Sequence, residues 1–120
     1  MAAKDDLGRA GEDRAAHYLI ERGFDIVDRN WRAPGGELDL VAQRGRVLAV
    51  VEVKTRRGDG FGDPLLAVDA RKLSRLRHLA LAWRAAHPAE SRGRELRIDV
   101  IGISGPDPAT ARLEHVEGVW

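Results

Sequence analysis

Cysteine is absent from the 120 residues, which excludes disulfides, thiolate nucleophiles and zinc or iron–sulfur sites built on cysteine. Net charge is nearly absent too: 20 lysines and arginines face 19 acids, for a formal +1. No global basic field announces a nucleic-acid partner, so any such surface must come from how the charges are distributed. No apolar run approaches the roughly 18 residues that a bilayer span requires. The N-terminus, with Lys4, Asp5 and Asp6 ahead of an amphipathic pattern, lacks the apolar core of a signal peptide. A cytoplasmic location and no membrane partner are the resulting expectations. Aromatic residues make up 5%, and Trp31 and Trp83 read as packing residues before platforms for stacked bases.

What is present suits an ordinary soluble globular chain, 43% hydrophobic and 32% charged. One domain spanning residues 1–120 is expected, large enough to bury roughly two thirds of the surface its unfolded chain exposes. Seventeen of the 20 basic residues are arginine, whose planar fork suits bidentate phosphate contacts. A coding sequence rich in G and C would produce the same bias.

Helical spacing of Leu7, Ala10, Ala15, Tyr18 and Leu19 predicts a helix over about Asp5–Arg22, stopped by Gly23. Phe24–Arg29 alternates weakly as a first strand, and Ala33-Pro34-Gly35-Gly36 reads as a turn. Glu37–Gln43 alternates cleanly, with Glu37, Asp39 and Val41 on one side and Leu38, Leu40 and Ala42 on the other. After an Arg44-Gly45 turn, Val47–Thr55 is nearly continuous apolar sequence, as in a central strand covered on both faces. Arg56–Asp63, with three glycines, reads as a mobile loop. A second helix begins at the N-cap Asp69 and ends at His87-Pro88. Ala89–Arg94 is a polar connector, Leu96–Ser104 a strand, and Ala111–Glu117 a short last one. The order α-β-β-β-α-β-β predicts an α/β fold, a mixed central sheet flanked by helices.

Within the central strand, Glu52 and Lys54 stand among valines and share a face. An even-numbered hairpin loop, such as a two-residue turn, puts Asp39 and Glu37 on that same face. Carboxylates gathered on a covered face cost several kcal/mol each to desolvate unless something pairs them. A divalent cation is one such partner: Asp39 and Glu52 would hold Mg²⁺ from adjacent strands, and Lys54 would stand near its water. Glu12 shares a helical stripe with Gly8, Ala15, Ala16 and Leu19, so it is a further candidate. Gly8 and Gly11 make sense if that helix must approach something closely. Blander readings stay open at each position: a solvent-facing Glu52–Lys54 pair, an exposed structural Glu12, and a surface His115. For Arg71, Lys72, Arg75, Arg77 and Arg84 the alternative is a solvated helix face.

"GELDLVA" followed about a dozen positions later by "VVEVKTR" resembles the YraN family of bacterial endonuclease-like proteins. "GRAGEDRAAHYLIERGF", "RNWR", "FGDPLLAVDARKLSRL" and "RIDVIGI" follow the order of that family, so the resemblance covers nearly the whole chain. The family is in turn similar to restriction-endonuclease-like nucleases and archaeal Holliday-junction resolvases, whose signature is an acid, then Glu or Asp, any residue, and Lys. Carried over, the resemblance implies Asp39 and Glu52 as catalytic metal ligands, Lys54 as the catalytic lysine and Glu12 as the helix-one acid. Lys72 matches the family's helix-two lysine. Leu38 departs from the proline that often precedes the first acid. What this implies is a restriction-endonuclease-like fold and a Mg²⁺- or Mn²⁺-dependent endonuclease acting on DNA, with branched or structured DNA as a candidate substrate. Arg56, Arg57, Lys72 and Arg75 would contact phosphates, and a homodimer follows by analogy. The alternatives are a non-catalytic nucleic-acid binding or assembly module, and a structural ion-pair cluster without a ligand.

Overall fold

Leu48, Ala49, Val50 and Val51 are each no more than 1% exposed. A strand covered on both faces needs a helix on each side, and the chain supplies them. The computed structural model describes residues 3–58 and 68–120. In chain order the elements are α1 (Ala3–Glu21), β1 (Asp25–Ala33), β2 (Gly36–Arg44), β3 (Val47–Arg56), α2 (Ala70–Ala86), α3 (Pro88–Ser91), β4 (Glu95–Ser104) and β5 (Arg112–Val116). The sheet order is β1-β2-β3-β4-β5. Among the described residues only the β3–β4 pair is parallel, and α2 lies in the connection that parallel pairing requires. This is the mixed α/β architecture expected, with a single turn of helix, α3, added in the connector where Pro88 opens it.

On one face Ala15, Ala16 and Leu19 of α1 pack against Leu40, Ala42, Ala49, Val51, Ile101 and Ile103. On the other, Leu76, Leu79, Ala80 and Trp83 of α2 pack against Val41, Leu48, Val50 and Ile98. Asp69 caps α2 as its sequence position suggested, accepting the Lys72 N–H at 2.8 Å. Trp83 is fully buried and Trp31 packs against the same cluster, so both tryptophans are packing residues.

Four features near the site differ from the expectations, three boundaries and the facing of one strand pair. The β2–β3 turn is Gly45-Arg46, one residue later than Arg44-Gly45, because Arg44 pairs with Val47. The loop still holds two residues, so the parity survives, and Gly45 takes the positive φ of 58° that such a turn favours. β3 continues through Arg56, and the expected loop beyond it lies largely outside the described residues. β1 does not stop at Arg29 but pairs with β2 up to Ala33↔Gly36, leaving Pro34-Gly35 as the turn.

The fourth difference is a change of face. Leu40 joins the α1-side core, yet Leu38, two residues earlier on the same strand, joins the α2-side cluster. The expected alternation put them on one side. Across the ladder Arg29 pairs with Leu40 and Trp31 with Leu38, which places Asn30 opposite Asp39. Asn30 has φ 51°, the one non-glycine residue at positive φ among those described. Both strands therefore turn over at this opposed pair, and the register holds through it from Asp28↔Val41 to Ala33↔Gly36, after an earlier bulge between Ile26 and Asp28.

Candidate active site

Where β2 turns over, its main-chain pairing with β3 ends at Leu40↔Val51. Beyond that point the Asp39 side chain takes the ladder's place: its Oδ2 accepts the Val53 N–H at 2.9 Å. A buried backbone donor needs a partner, and here a carboxylate serves. Continuing the register sets Asp39 opposite Glu52, whose residue is 9% exposed. Two carboxylates thus meet at the opening between the strands.

Asp39 registers the cost. Its pKa rises from 3.8 to about 8, first because burial strips water from the charge, then because the Glu52 carboxylate stands beside it. The Val53 N–H works in the opposite direction, while Glu12 adds a further negative charge. Glu52 in turn pairs with Lys72, Nζ to Oε2 at 2.9 Å. Glu37, Asp39, Glu52, Lys72 and Arg75 line a cleft of about 240 Å³, floored by Leu76 and Leu79 of α2.

α1 reaches this place by a close approach. A Cβ on Gly11 would fall 1.8 Å from Thr55 Oγ1 of β3, so only glycine lets the helix lie on the strand there. Gly8 has no such role, having nothing within 4 Å among the described residues. The next residue, Glu12, is half-buried and accepts from Asn30 Nδ2 at 2.8 Å. Burial raises its pKa; the Asn30 hydrogen bond and Arg29 oppose that rise, while Glu37 and Asp13 add to it.

The other sequence candidates fall as follows. Lys54 is exposed, two residues beyond Glu52 on β3, and has no ion pair among the described residues. Arg75 is exposed on the cleft rim, whereas Arg57 lines a second cleft of about 370 Å³ with Arg112. Arg56 is half-buried at the end of β3. Arg77 stacks on Trp120 at 4.7 Å, away from the acids.

Two carboxylates, one driven to hold a proton, suit a divalent cation that can replace that proton. The donors are all oxygen, which favours hard ions such as Mg²⁺ or Mn²⁺. Glu12 adds its charge at Asp39, although its carboxylate does not lie within 4.8 Å of both other acids in this metal-free arrangement. Among the described residues the group with three potential ligand atoms within 4.8 Å is instead Asp99, His115 and Glu117. There Arg97 already serves as the cation: Asp99, 0% exposed, accepts from its Nε at 2.8 Å and its Nη2 at 2.9 Å. Asp99 also accepts from His115 Nε2 at 2.8 Å and the Gly118 N–H at 3.0 Å, while Tyr18 Oη donates to His115 Nδ1. Burial pushes the Asp99 pKa up, but these hydrogen bonds outweigh it and hold the group below 3.8. His115 is therefore a held residue and not the surface histidine expected.

The sequence reading missed Asp99, Asn30 and the Lys72–Glu52 contact. A charge inside the apolar run of β4 was the available signal for Asp99, the same signal that singled out Glu52.

A model of the Uncharacterised protein family UPF0102 matches residues 11–103. A UPF0102 protein of Beutenbergia cavernae is 50% identical over 119 residues, covering 99% of each chain. One from Clavibacter michiganensis is 52% identical over 116 residues, 97% of each, and one from Frankia casuarinae 48% over the full 120. The matched segment includes Glu12, Asn30, Asp39, Glu52, Lys54, Lys72 and Asp99, so the whole candidate site lies within what is shared, and the chain belongs to the uncharacterised protein family UPF0102, the YraN family that its motifs resemble.

Proposed function

We propose that the cleft between β2 and β3 is the active site of a divalent-cation-dependent endonuclease acting on DNA. The observation that carries this reading is the buried Asp39–Glu52 pair at the end of a broken ladder, with Asp39 pushed up to about 8. A cation held by Asp39 and Glu52 would supply Lewis-acid polarisation of a phosphodiester oxygen. The chain's own groups do the rest. Lys72, at 2.9 Å from Glu52, neutralises charge that builds at the cleft floor. Lys54, exposed two residues beyond Glu52 on the same strand, would orient an attacking water, and Arg75 at the rim would hold a flanking phosphate. The motif resemblance to resolvase-like nucleases favours branched or structured DNA among substrates.

The test is cleavage of duplex, flap and four-way-junction DNA with Mg²⁺ or Mn²⁺, comparing wild type with Glu52→Gln. Cleavage that needs the metal and disappears in the variant is expected. No cleavage of any substrate, or equal cleavage by the variant, overturns the proposal.

The Lys72–Glu52 ion pair supports a second reading, a structural charge cluster without a ligand. It predicts no Mn²⁺ uptake by calorimetry, and a Lys72→Met, Glu52→Met double variant at least as stable as wild type.

A further inference from the structure

In a regular strand, consecutive side chains point to opposite faces. Arg29 and Asn30 break that rule. Arg29 Nη2 meets Asp13 Oδ1 at 2.7 Å, and Asn30 Nδ2 meets Glu12 Oε1 at 2.8 Å, so two successive residues of β1 grip two successive residues of α1. The positive φ of Asn30 makes this possible, because it turns the Asn30 side chain onto the helix-facing side that Arg29 already occupies. Asparagine tolerates that conformation better than most residues. The same residue lies opposite Asp39 in the ladder.

We propose that Asn30 is a positioning residue, which uses its left-handed backbone to hold the Glu12 carboxylate toward the Asp39–Glu52 pair. This rests on reading the cleft as a divalent-cation site. The choice of partner fits that purpose. Glu12 faces Asn30 and Arg29 as well as the acids Asp13, Glu37 and Asp39. The nearby guanidinium of Arg29 pairs with Asp13 and leaves Glu12 to a neutral amide. An amide orients a carboxylate without cancelling its charge, which stays available to a cation. Hydrogen bonds that orient a metal's own ligands typically change its affinity 10- to 100-fold, which is the effect expected of Asn30 where Glu12 closes onto the cation.

Asn30→Gly separates backbone from side chain, since glycine accepts φ 51° and has no amide to offer. Wild type, Asn30→Gly, Glu12→Gln and the double variant are compared by Mn²⁺ calorimetry, by denaturant unfolding and by metal-free crystal structures. Asn30→Gly is expected to fold at least as stably as wild type yet bind Mn²⁺ about 10-fold more weakly. The double variant is expected to bind no more weakly than Glu12→Gln alone. Asn30→Asp, which sets an acceptor against Glu12, is expected to bind more weakly than Asn30→Gly. Unchanged affinity in Asn30→Gly beside weakened Glu12→Gln, or equal losses that simply add, overturns the proposal. If wild type takes up no Mn²⁺, the cation reading fails instead. The crystal structures then decide the positioning role alone: Glu12 displaced in Asn30→Gly upholds it, and Glu12 unmoved overturns it.

Discussion

Asp39 is where burial and function pull against each other within one side chain. Its carboxyl protonates at about 8 in the folded chain against 3.8 when free, so the folded state binds more protons between those values. Stability therefore falls as pH rises from about 4 to about 8, the reverse of an ordinary paired aspartate. Urea unfolding between pH 5 and 9 in the presence of chelator should show that decline, and Asp39→Asn should flatten it. Stabilisation by added Mn²⁺ should grow over the same range, because the ion competes with the proton, and chelation should remove it. At Gly11 the effect is steric. Its missing Cβ would overlap Thr55 at 1.8 Å, so Gly11→Ala should cost about 1–3 kcal/mol in denaturant unfolding. The Thr55 hydroxyl is buried with no hydrogen-bond partner among the described residues. Thr55→Val should accordingly be neutral or stabilising by about 1 kcal/mol.

Among the elements, α2 links a helix cap to the cleft. Asp69 accepts the Lys72 N–H, and the Lys72 ammonium reaches Glu52. Asp69→Ala should lower stability by about 1 kcal/mol, while Lys72→Met should leave the cap intact and alter only the charge beside Glu52. Thermal melts of the two variants with and without Mn²⁺ distinguish the effects. α1, α2, β3 and the covering of both faces of β3 were legible because apolar spacing records them directly, whereas the single turn of α3 lies in what reads as a polar connector. The Asp39–Glu52 meeting was legible through the parity of a two-residue loop, even with the turn displaced by one residue. The face change at Asn30 and Asp39 was not, because two opposed defects leave the register of Asp28–Ala33 intact, the insertion in β1 lying earlier, between Ile26 and Asp28. Nor was the identity of the lysine at Glu52: strand periodicity points to Lys54, whereas the contact to Lys72 depends on how close α2 packs to β3.

At the scale of the whole molecule, Asp99 ties together parts distant in sequence. It draws in Arg97 of β4, His115 of β5 and the Gly118 N–H of the C-terminal segment, with Tyr18 of α1 one hydrogen bond further out. The same C-terminal segment pairs with β4 through Ile98, whose N–H donates to the Trp120 carbonyl and whose carbonyl accepts the Val119 N–H, both at 2.8 Å. Removing one member of a buried, hydrogen-bonded charge set strands the others, so its cost depends on burial more than on the number of contacts. Asp99 is 0% exposed and the Glu117 side chain 52% exposed, although both accept from Arg97. Asp99→Asn should therefore lose about 3–5 kcal/mol in denaturant unfolding, and Glu117→Gln less than about 1 kcal/mol. The pH dependence carries the opposite sign from that of Asp39. Asp99 is held below 3.8 when folded, so its contribution is full above that value and lost as pH falls through the lowered one. Acid unfolding of wild type should steepen below about pH 4, and in Asp99→Asn that component should be missing. A wild-type-like acid transition in the variant would remove Asp99 as the tie between α1, the sheet and the C-terminal segment.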